Sequence, residues 1–273
     1  MNIALIGYGK MGHMIEAAAL ERQHRMAAYV DPLAFGSPDS RTAQMGKPCF
    51  ASVQDLLASG LPVDVAIEFT RPDTAVPNIE TLVNARIPVV VGTTGWYASL
   101  PVITKLVAEK QASLLWSSNF SIGVQLFFRI ASFAAKLFNE YEEYDVGGFE
   151  AHHNKKADSP SGTAKTLVER VLKELDRKTT PVYDTLDRPP RSEELHFPSL
   201  RLGAVPGIHS LFFDSTADSI ELTHTARSRE GFARGAVRAA EWLIGCTNPG
   251  GPGTLRREGV FTMDEVLAHI QLQ

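Results

Sequence analysis

The chain opens on a short apolar segment, Asn2 to Ile6, which runs directly into Gly7-Tyr8-Gly9-Lys10-Met11-Gly12 and then into a stretch rich in Ala, Leu, Met and Glu. Few folds accept a buried strand, a turn with this glycine spacing and a helix in immediate succession. The first glycine permits the tight turn, the second lets the backbone approach a pyrophosphate, and the third lets the helix pack closely on the strand. The start of the helix offers unpaired N–H groups and the positive end of its dipole to the phosphates. A second apolar strand, Met26 to Val30, ends at Asp31-Pro32 and completes a βαβ unit. A carboxylate at that place accepts hydrogen bonds from both ribose hydroxyls and repels a 2′-phosphate. Pro32 and Leu33 bring no compensating cation, whereas Arg41 further along would soften the preference. The expected cofactor is therefore NADH in preference to NADPH. Gly7, Tyr8, Gly9, Lys10, Met11, Gly12 and Asp31 are expected in its site, although Asp31 is also a good turn former ahead of Pro32.

The alternation continues. Val53 to Ser59 reads as a helix, Val63 to Phe69 as a strand and Thr74 to Ala85 as a helix. Pro88 to Val91 reads as a strand, Leu100 to Lys110 as a helix and Ser113 to Trp116 as a strand. This order implies a parallel sheet covered on both faces. The pattern changes after Asn119. Ile122 to Phe138 reads as a long amphipathic helix whose Phe127, Phe128, Phe133 and Phe138 suit core or oligomer packing. Tyr144 to Ala151 reads as a strand, Gly162 to Glu174 as a helix, and the proline-bearing stretch 176–199 as a surface loop with room for a short strand. Leu200 to Val205, Ile208 to Asp214 and Ser219 to Ala226 read as antiparallel strands. Phe232 to Ile244 and Met263 to His269 read as helices on either side of a Pro/Gly linker. The fold class is α/β: a Rossmann-type parallel-sheet domain, then from near Phe120 a second α+β domain with a mixed or antiparallel sheet.

A length of 273 residues suits one large or two small domains. Asp plus Glu number 31 and Lys plus Arg 27, a formal charge of −4, which gives no general attraction for nucleic acid or anionic lipid. Cys49 and Cys246 have neither CxxC nor zinc-ligand spacing and read as reduced thiols. The run Ile3 to Ile6 is too short for a signal segment, and no stretch reaches the ~20 apolar residues of a membrane span. A soluble, cytoplasmic protein is expected. Asp64 and Glu68, like Glu142 and Glu143, read as ordinary surface or capping charges.

The densest chemistry lies between Glu150 and Thr163. His152, His153, Lys155 and Lys156 precede Pro160-Ser161-Gly162-Thr163, between an expected strand and an expected helix. Histidine suits proton transfer near neutral pH, and a lysine supplies positive charge for an anion or acts as an acid. The Ser161–Thr163 helix start offers N–H groups and hydroxyls to a carboxylate. No metal site is expected, because adjacent histidines do not easily share one ion and no further ligands cluster in the sequence.

The pattern E-x-H-H-x-x-K-x-D-x-P-S-G-T-A from Glu150 to Ala164 resembles the dihydrodipicolinate reductase family. The resemblance extends over nearly the whole chain, through Phe69-Thr70-Arg71-Pro72, Val91-Gly92-Thr93-Thr94-Gly95, Ser118-Asn119-Phe120-Ser121-Ile122-Gly123-Val124, Gly207-Ile208-His209 and Phe261-Thr262-Met263-Asp264-Glu265. It implies NAD(P)H-dependent reduction of 4-hydroxy-tetrahydrodipicolinate to tetrahydrodipicolinate, on the route to diaminopimelate and lysine. His152 takes the family's acid/base position and Lys156 that of its catalytic lysine. His153, Gly162 and Thr163 match substrate positions, with Ser161 and Thr94 beside them. Phe69, Thr70, Gly92, Thr93 and Thr94, with the turn Ser117, Ser118, Asn119 and Phe120, match the cofactor site. The resemblance also implies a dinucleotide domain of 1–120 completed by 230–273, a substrate domain of 121–229, and a homotetramer. The chain departs from the family at a shorter glycine loop, at Ala217-Asp218, at Val205-Pro206 and in a longer linker from Cys246 to Glu258. Two other readings stay open on the residues: another amino- or imino-acid dehydrogenase of the same plan, and a non-enzymatic NAD sensor.

Overall fold

The structure is a computed structural model and describes residues 1–35, 48–246, 251, 253 and 256–268. Arg41 and His269 lie outside the described residues. The chain first forms β1 (Asn2–Ile6), α1 (Lys10–Glu21), β2 (Arg25–Val30), α2 (Pro32–Phe35), β3 (Cys49–Phe50), α3 (Val53–Ala58), β4 (Val65–Glu68), α4 (Pro72–Asn84), β5 (Val89–Val91), α5 (Leu100–Lys110) and β6 (Ser113–Trp116). There follow α6 (Ile122–Phe138), β7 (Asp145–His152), α7 (Gly162–Leu172), β8 (Thr180–Val182), β9 (Glu194–His196), β10 (Ser199–Arg201), β11 (Ile208–Asp214) and β12 (Ser219–Thr225). The chain ends on α8 (Glu230–Leu243), β13 (Gly259–Phe261) and α9 (Met263–Val266). Two compact units result: Met1–Ser121 with Phe232–Gln273, and Ile122–Gly231.

The first unit is built on a parallel sheet of order β13-β6-β5-β4-β1-β2-β3. Its middle strands are buried along their whole length, as at Val65–Glu68 and Val89–Val91, because helices cover both faces. The strand order reverses between β1 and β4, so the crevice outside their carboxyl ends is a topological switch point. Strands β3 and β13 were not legible, since two or three residues carry no usable periodicity.

The C-terminal segment belongs to this unit for identifiable reasons. Glu241 on α8, nearly buried, accepts from Arg22 Nε and Nη2 at 2.7 Å each and lies 2.7 Å from His24 Nε2. A Cβ at Gly235 would stand 1.7 Å from the carbonyl oxygen of Phe120, so α8 approaches that backbone as only glycine allows. Gly235→Ala is expected to cost about 1–3 kcal/mol through overpacking, read as a lower denaturation midpoint with unchanged slope.

The second unit carries a sheet of order β10-β7-β11-β12 and a small parallel pair, β8 and β9. Helices α6 and α7 bury Phe128, Leu167 and Val171 together with Phe197, Leu211 and Phe213. Phe127 and Phe128 are buried and Phe138 stacks on Phe213 with ring centroids 4.4 Å apart, whereas Phe133 is exposed. Strand β10 corrects the expectation of an antiparallel strand: it runs parallel to β7, pairing Ser199 with Glu150 and Arg201 with His152. The long excursion through α7, β8 and β9 is a crossover, and a crossover returns the chain in the same direction. Within 176–199, where a loop was expected, Arg188 grips Glu194 through Nη1 and Nη2 at 2.8 and 2.6 Å. Cys49 and Cys246 are not joined in a disulfide. No helix among the described residues is long and apolar enough to cross a membrane.

Candidate functional site

Because β1, β2, β4, β5 and β6 are parallel, the segments that follow them share one edge of the sheet. Those segments are the glycine turn, Asp31, Phe69-Thr70, Gly92-Thr93-Thr94 and Ser117–Phe120. Gly7 has φ of 93°, and a Cβ there would stand 2.2 Å from Phe69 O. A Cβ at Gly12 would stand 2.5 Å from Gly7 O. Gly9 caps α1 with no side-chain hydrogen bond, and nothing lies within 4 Å of where its Cβ would be. The turn is thus tight where helix meets strand and open where a phosphate would approach, so the residues fit a dinucleotide. Asp31 accepts from the Tyr8 and Leu33 N–H groups at 2.8 and 2.9 Å, which ties the end of β2 to the glycine turn. A cavity of about 350 Å³ opens here, lined by Gly7, Gly9, Asp31, Phe69 and Thr70 among the expected residues. Ser52, Arg71, Thr74 and Asn78 also line it. The sequence reading missed these four as site residues; the only signal was that Arg71 sits in a motif shared with the family.

Other expected cofactor residues line the same edge without entering this cavity. Tyr8 and Gly12 are buried, Lys10 is exposed and Met11 is half-buried. Gly92 must lack a side chain, because a Cβ would fall 2.0 Å from the Phe69 ring. Thr93 is buried and receives the Thr70 N–H at 2.7 Å, while Thr94 is exposed. The Ser117 hydroxyl donates to Asn119 O at 2.8 Å, and Asn119 Oδ1 takes the Ser121 N–H at 2.9 Å, which shapes the turn. Ser118 is exposed there, and the Phe120 ring lies 5.9 Å from that of Phe69.

In the second unit the end of β7 and the start of α7 build a charged cluster around Glu150, which is fully buried. Its carboxylate accepts from the Ser161 N–H at 2.9 Å, Ser199 Oγ at 2.8 Å and Arg201 Nη2 at 2.9 Å, and from the Ser161 hydroxyl. His152 Nδ1 lies 3.3 Å from Oε2, and His209 Nε2 lies 3.5 Å from it. Burial by itself would push the Glu150 carboxyl up, but His152, His209 and Ser161 together hold it far below the usual carboxylate range. Burial pushes the His209 imidazole down, against the pull of Glu150. His152 is buried, and Gly207 packs against its Nε2, where a Cβ would stand 3.1 Å away.

Lys156 is partly buried and reaches Asp158 Oδ1 at 2.6 Å. Arg201 Nη2 also donates to Asp158 O at 2.6 Å and pins the intervening loop. His153 and Thr163 are half-buried, and Gly162 is exposed with open space around it. Ser161 is committed inward: it caps α7 by accepting the Ala164 N–H at 3.1 Å and bonds to Glu150 through both its N–H and hydroxyl. Glu150, His209 and Arg201 were missed, because the last two reach the motif only through the pairing of β10 and β11 with β7. Glu150, His152 and His209 do bring three possible metal-ligand atoms within 4.8 Å of one another, contrary to the expectation that no ligands cluster. Arg201 and the Ser161 hydroxyl already occupy the carboxylate, so the cluster reads as a hydrogen-bonded ion network.

A doubly wound sheet with this phosphate turn at its switch point defines a dinucleotide-binding protein of the Rossmann type. Residues 1–120 match the family model for the dihydrodipicolinate reductase N-terminus and residues 123–267 the model for its C-terminus. The 4-hydroxy-tetrahydrodipicolinate reductase of Christiangramia forsetii is 35% identical over 270 residues, covering 99% of both chains. That of Archaeoglobus fulgidus is 35% identical over 271 residues, covering 98% of this chain and 100% of its own. The dipicolinate-bound dihydrodipicolinate reductase from Paenisporosarcina sp. TG-14 has the same fold, with a TM-score of 0.76, 22% identity and 99% of each chain covered. The chain belongs to the dihydrodipicolinate reductase family.

Proposed function

We propose that this chain reduces 4-hydroxy-tetrahydrodipicolinate to tetrahydrodipicolinate with NAD(P)H, in the synthesis of diaminopimelate and lysine. The observation that carries this is the site on β7 and α7, where His152, Lys156 and an open helix start stand together in a chain of this family. A relative solved with dipicolinate, itself a cyclic dicarboxylate, supports a substrate of that shape. The first unit serves as the dinucleotide domain (1–120 completed by 230–273). The second (121–229) serves the substrate and builds a homotetramer in the cytoplasm.

The dinucleotide supplies the hydride. The chain's part is to bind, orient and move a proton. The N–H groups of Gly162 and Thr163 at the start of α7 take one carboxylate of the substrate, Ser161 having been used to fix that start. Lys156 exchanges its Asp158 partner for the substrate's negative charge, and His153 binds alongside. His152 or Lys156 gives up the proton that accompanies reduction of the C=N bond. The test is a coupled assay with enzymatically generated substrate, following oxidation of each cofactor. Failure to oxidise either one with substrate supplied overturns the reading.

Asp31 at the cavity supports NADH over NADPH, since its carboxylate repels a 2′-phosphate. The Arg71 guanidinium, also at the cavity, pairs with Asp73 at 2.9 Å. kcat/KM is expected to be higher with NADH. Asp31→Asn, which keeps an acceptor for Tyr8 N–H and removes the charge, should narrow the ratio about tenfold. A strong NADPH preference in the unaltered chain contradicts this role.

A further inference from the structure

Glu68 ends β4 and is fully buried, which corrects its reading as a surface charge. Its strand partners are Ile6 on β1 and Val91 on β5, so both flanks are hydrocarbon. The polar groups about its carboxyl are the side chains of Thr70, Thr93 and Asn78 and the Thr70 backbone N–H, all uncharged. The Thr70 hydroxyl donates to Oε1, whereas Oε2 is buried without a hydrogen-bond partner among the described residues. Arg71, close in sequence, stays exposed and paired with Asp73. A buried carboxylate with no cation and an unsatisfied oxygen is costly, and protonation removes most of that cost. In keeping with this, burial pushes the Glu68 carboxyl above the ordinary carboxylate range, and its contacts with Thr70, Thr93 and Asn78 only partly offset it.

The position of this group gives it a consequence. Thr70, Thr74 and Asn78 line the cavity beside the glycine turn. Thr74 Oγ1 donates to Thr70 Oγ1 at 3.0 Å, and the Thr70 N–H bonds to Thr93 Oγ1 at 2.7 Å. Glu68 therefore stands one hydroxyl behind the wall of the pocket. Its backbone also joins the two neighbouring turns, since Glu68 O accepts the Gly92 N–H at 2.9 Å.

We propose that Glu68 is a positioning residue of the dinucleotide pocket, that it is the neutral acid when the cofactor binds, and that its ionisation weakens binding. As the acid it orders the Thr70–Thr93 hydroxyls without placing charge beside the pyrophosphate. As the carboxylate, its proton having passed to bulk water, it sets an unscreened negative charge next to an anionic ligand. The proposal rests on the reading of this crevice as the dinucleotide site.

The test is binding of NADH to the full-length protein, by fluorescence titration from roughly pH 5 to 9. Calorimetry in buffers of different ionisation enthalpy accompanies it. The dissociation constant is expected to rise by up to about tenfold per pH unit above the ionisation. Binding in that range should take up as much as about one proton per NADH. Glu68→Gln, a neutral isostere, should keep the low-pH affinity and lose both the slope and the proton uptake. A pH-independent affinity without proton uptake in the unaltered protein overturns the proposal, as does a Glu68→Gln protein that retains both. If the variant does not fold, the proton count on the unaltered chain decides. Absence of NADH binding at every pH would instead overturn the cofactor site itself.

Discussion

Lys156→Ala lowers kcat about a hundredfold or more, and His152→Ala does the same, the usual scale for a group that moves a proton in the rate-governing step. For Lys156 the fold contributes little to that loss. Its ion pair with Asp158 at 2.6 Å is partly exposed, and such pairs add little stability. Asp158 makes the experiment more informative. Burial pushes its carboxyl up, but hydrogen bonding to Lys156 and the ammonium's charge outweigh this and hold it below its ordinary value. Remove the ammonium, and a bare carboxylate is left where a dianionic substrate must come. KM therefore rises together with the fall in kcat, and adding Asp158→Asn recovers only the part of KM owed to the bare carboxylate, without recovering kcat. For His152, which is buried against Gly207, a folding control accompanies the kinetics. Near-normal turnover in both variants ends the proposed roles. A rise in KM alone reduces them to binding of the dianion.

What the sequence disclosed and what it withheld divide along physical lines. Strand β1, the glycine turn and α1 were legible because their signal is local: apolar residues, three glycines and a helix within about twenty positions. The cluster from His152 to Thr163 was legible for the same reason. Arg201 and His209 were not, because only the register of β10 and β11 on β7 brings them to Glu150. Register between strands far apart in sequence leaves no local trace. Nor does burial of a single charge. Glu68 reads like any glutamate at a strand end, and its setting emerges only once β1 and β5 close on either side of it. Ser161 shows a subtler gap: its type and place predicted an anion-binding cap, and the structure turns its hydroxyl inward to Glu150.

Glu150→Gln should destabilise the protein by about 3 kcal/mol or more at neutral pH, the scale for removing one partner of a buried ion network. The amide is nearly isosteric, so the loss is not a cavity effect. It arises because the Ser161 N–H and hydroxyl, Ser199 Oγ and Arg201 Nη2 all donate to this carboxylate. A glutamine offers one acceptor oxygen and turns an NH2 group toward some of these donors. It also leaves the Arg201 guanidinium, largely buried, without its counter-charge. The pH dependence follows from the direction of the shift. The folded-state carboxyl is held far below its unfolded value, so its stabilisation is complete above the ordinary carboxylate range. It fades as pH falls below about 4, where the unfolded chain takes up the proton first. Denaturant unfolding of the two proteins should show a wide gap near neutrality that closes in acid. Equal stabilities at neutral pH would mean that the carboxylate's charge contributes nothing. The same substitution loosens the Ser161 cap, and with it the Gly162 and Thr163 N–H groups at the start of α7. Protein that remains folded should therefore bind substrate more weakly, with a higher KM, even though glutamine touches no reacting atom.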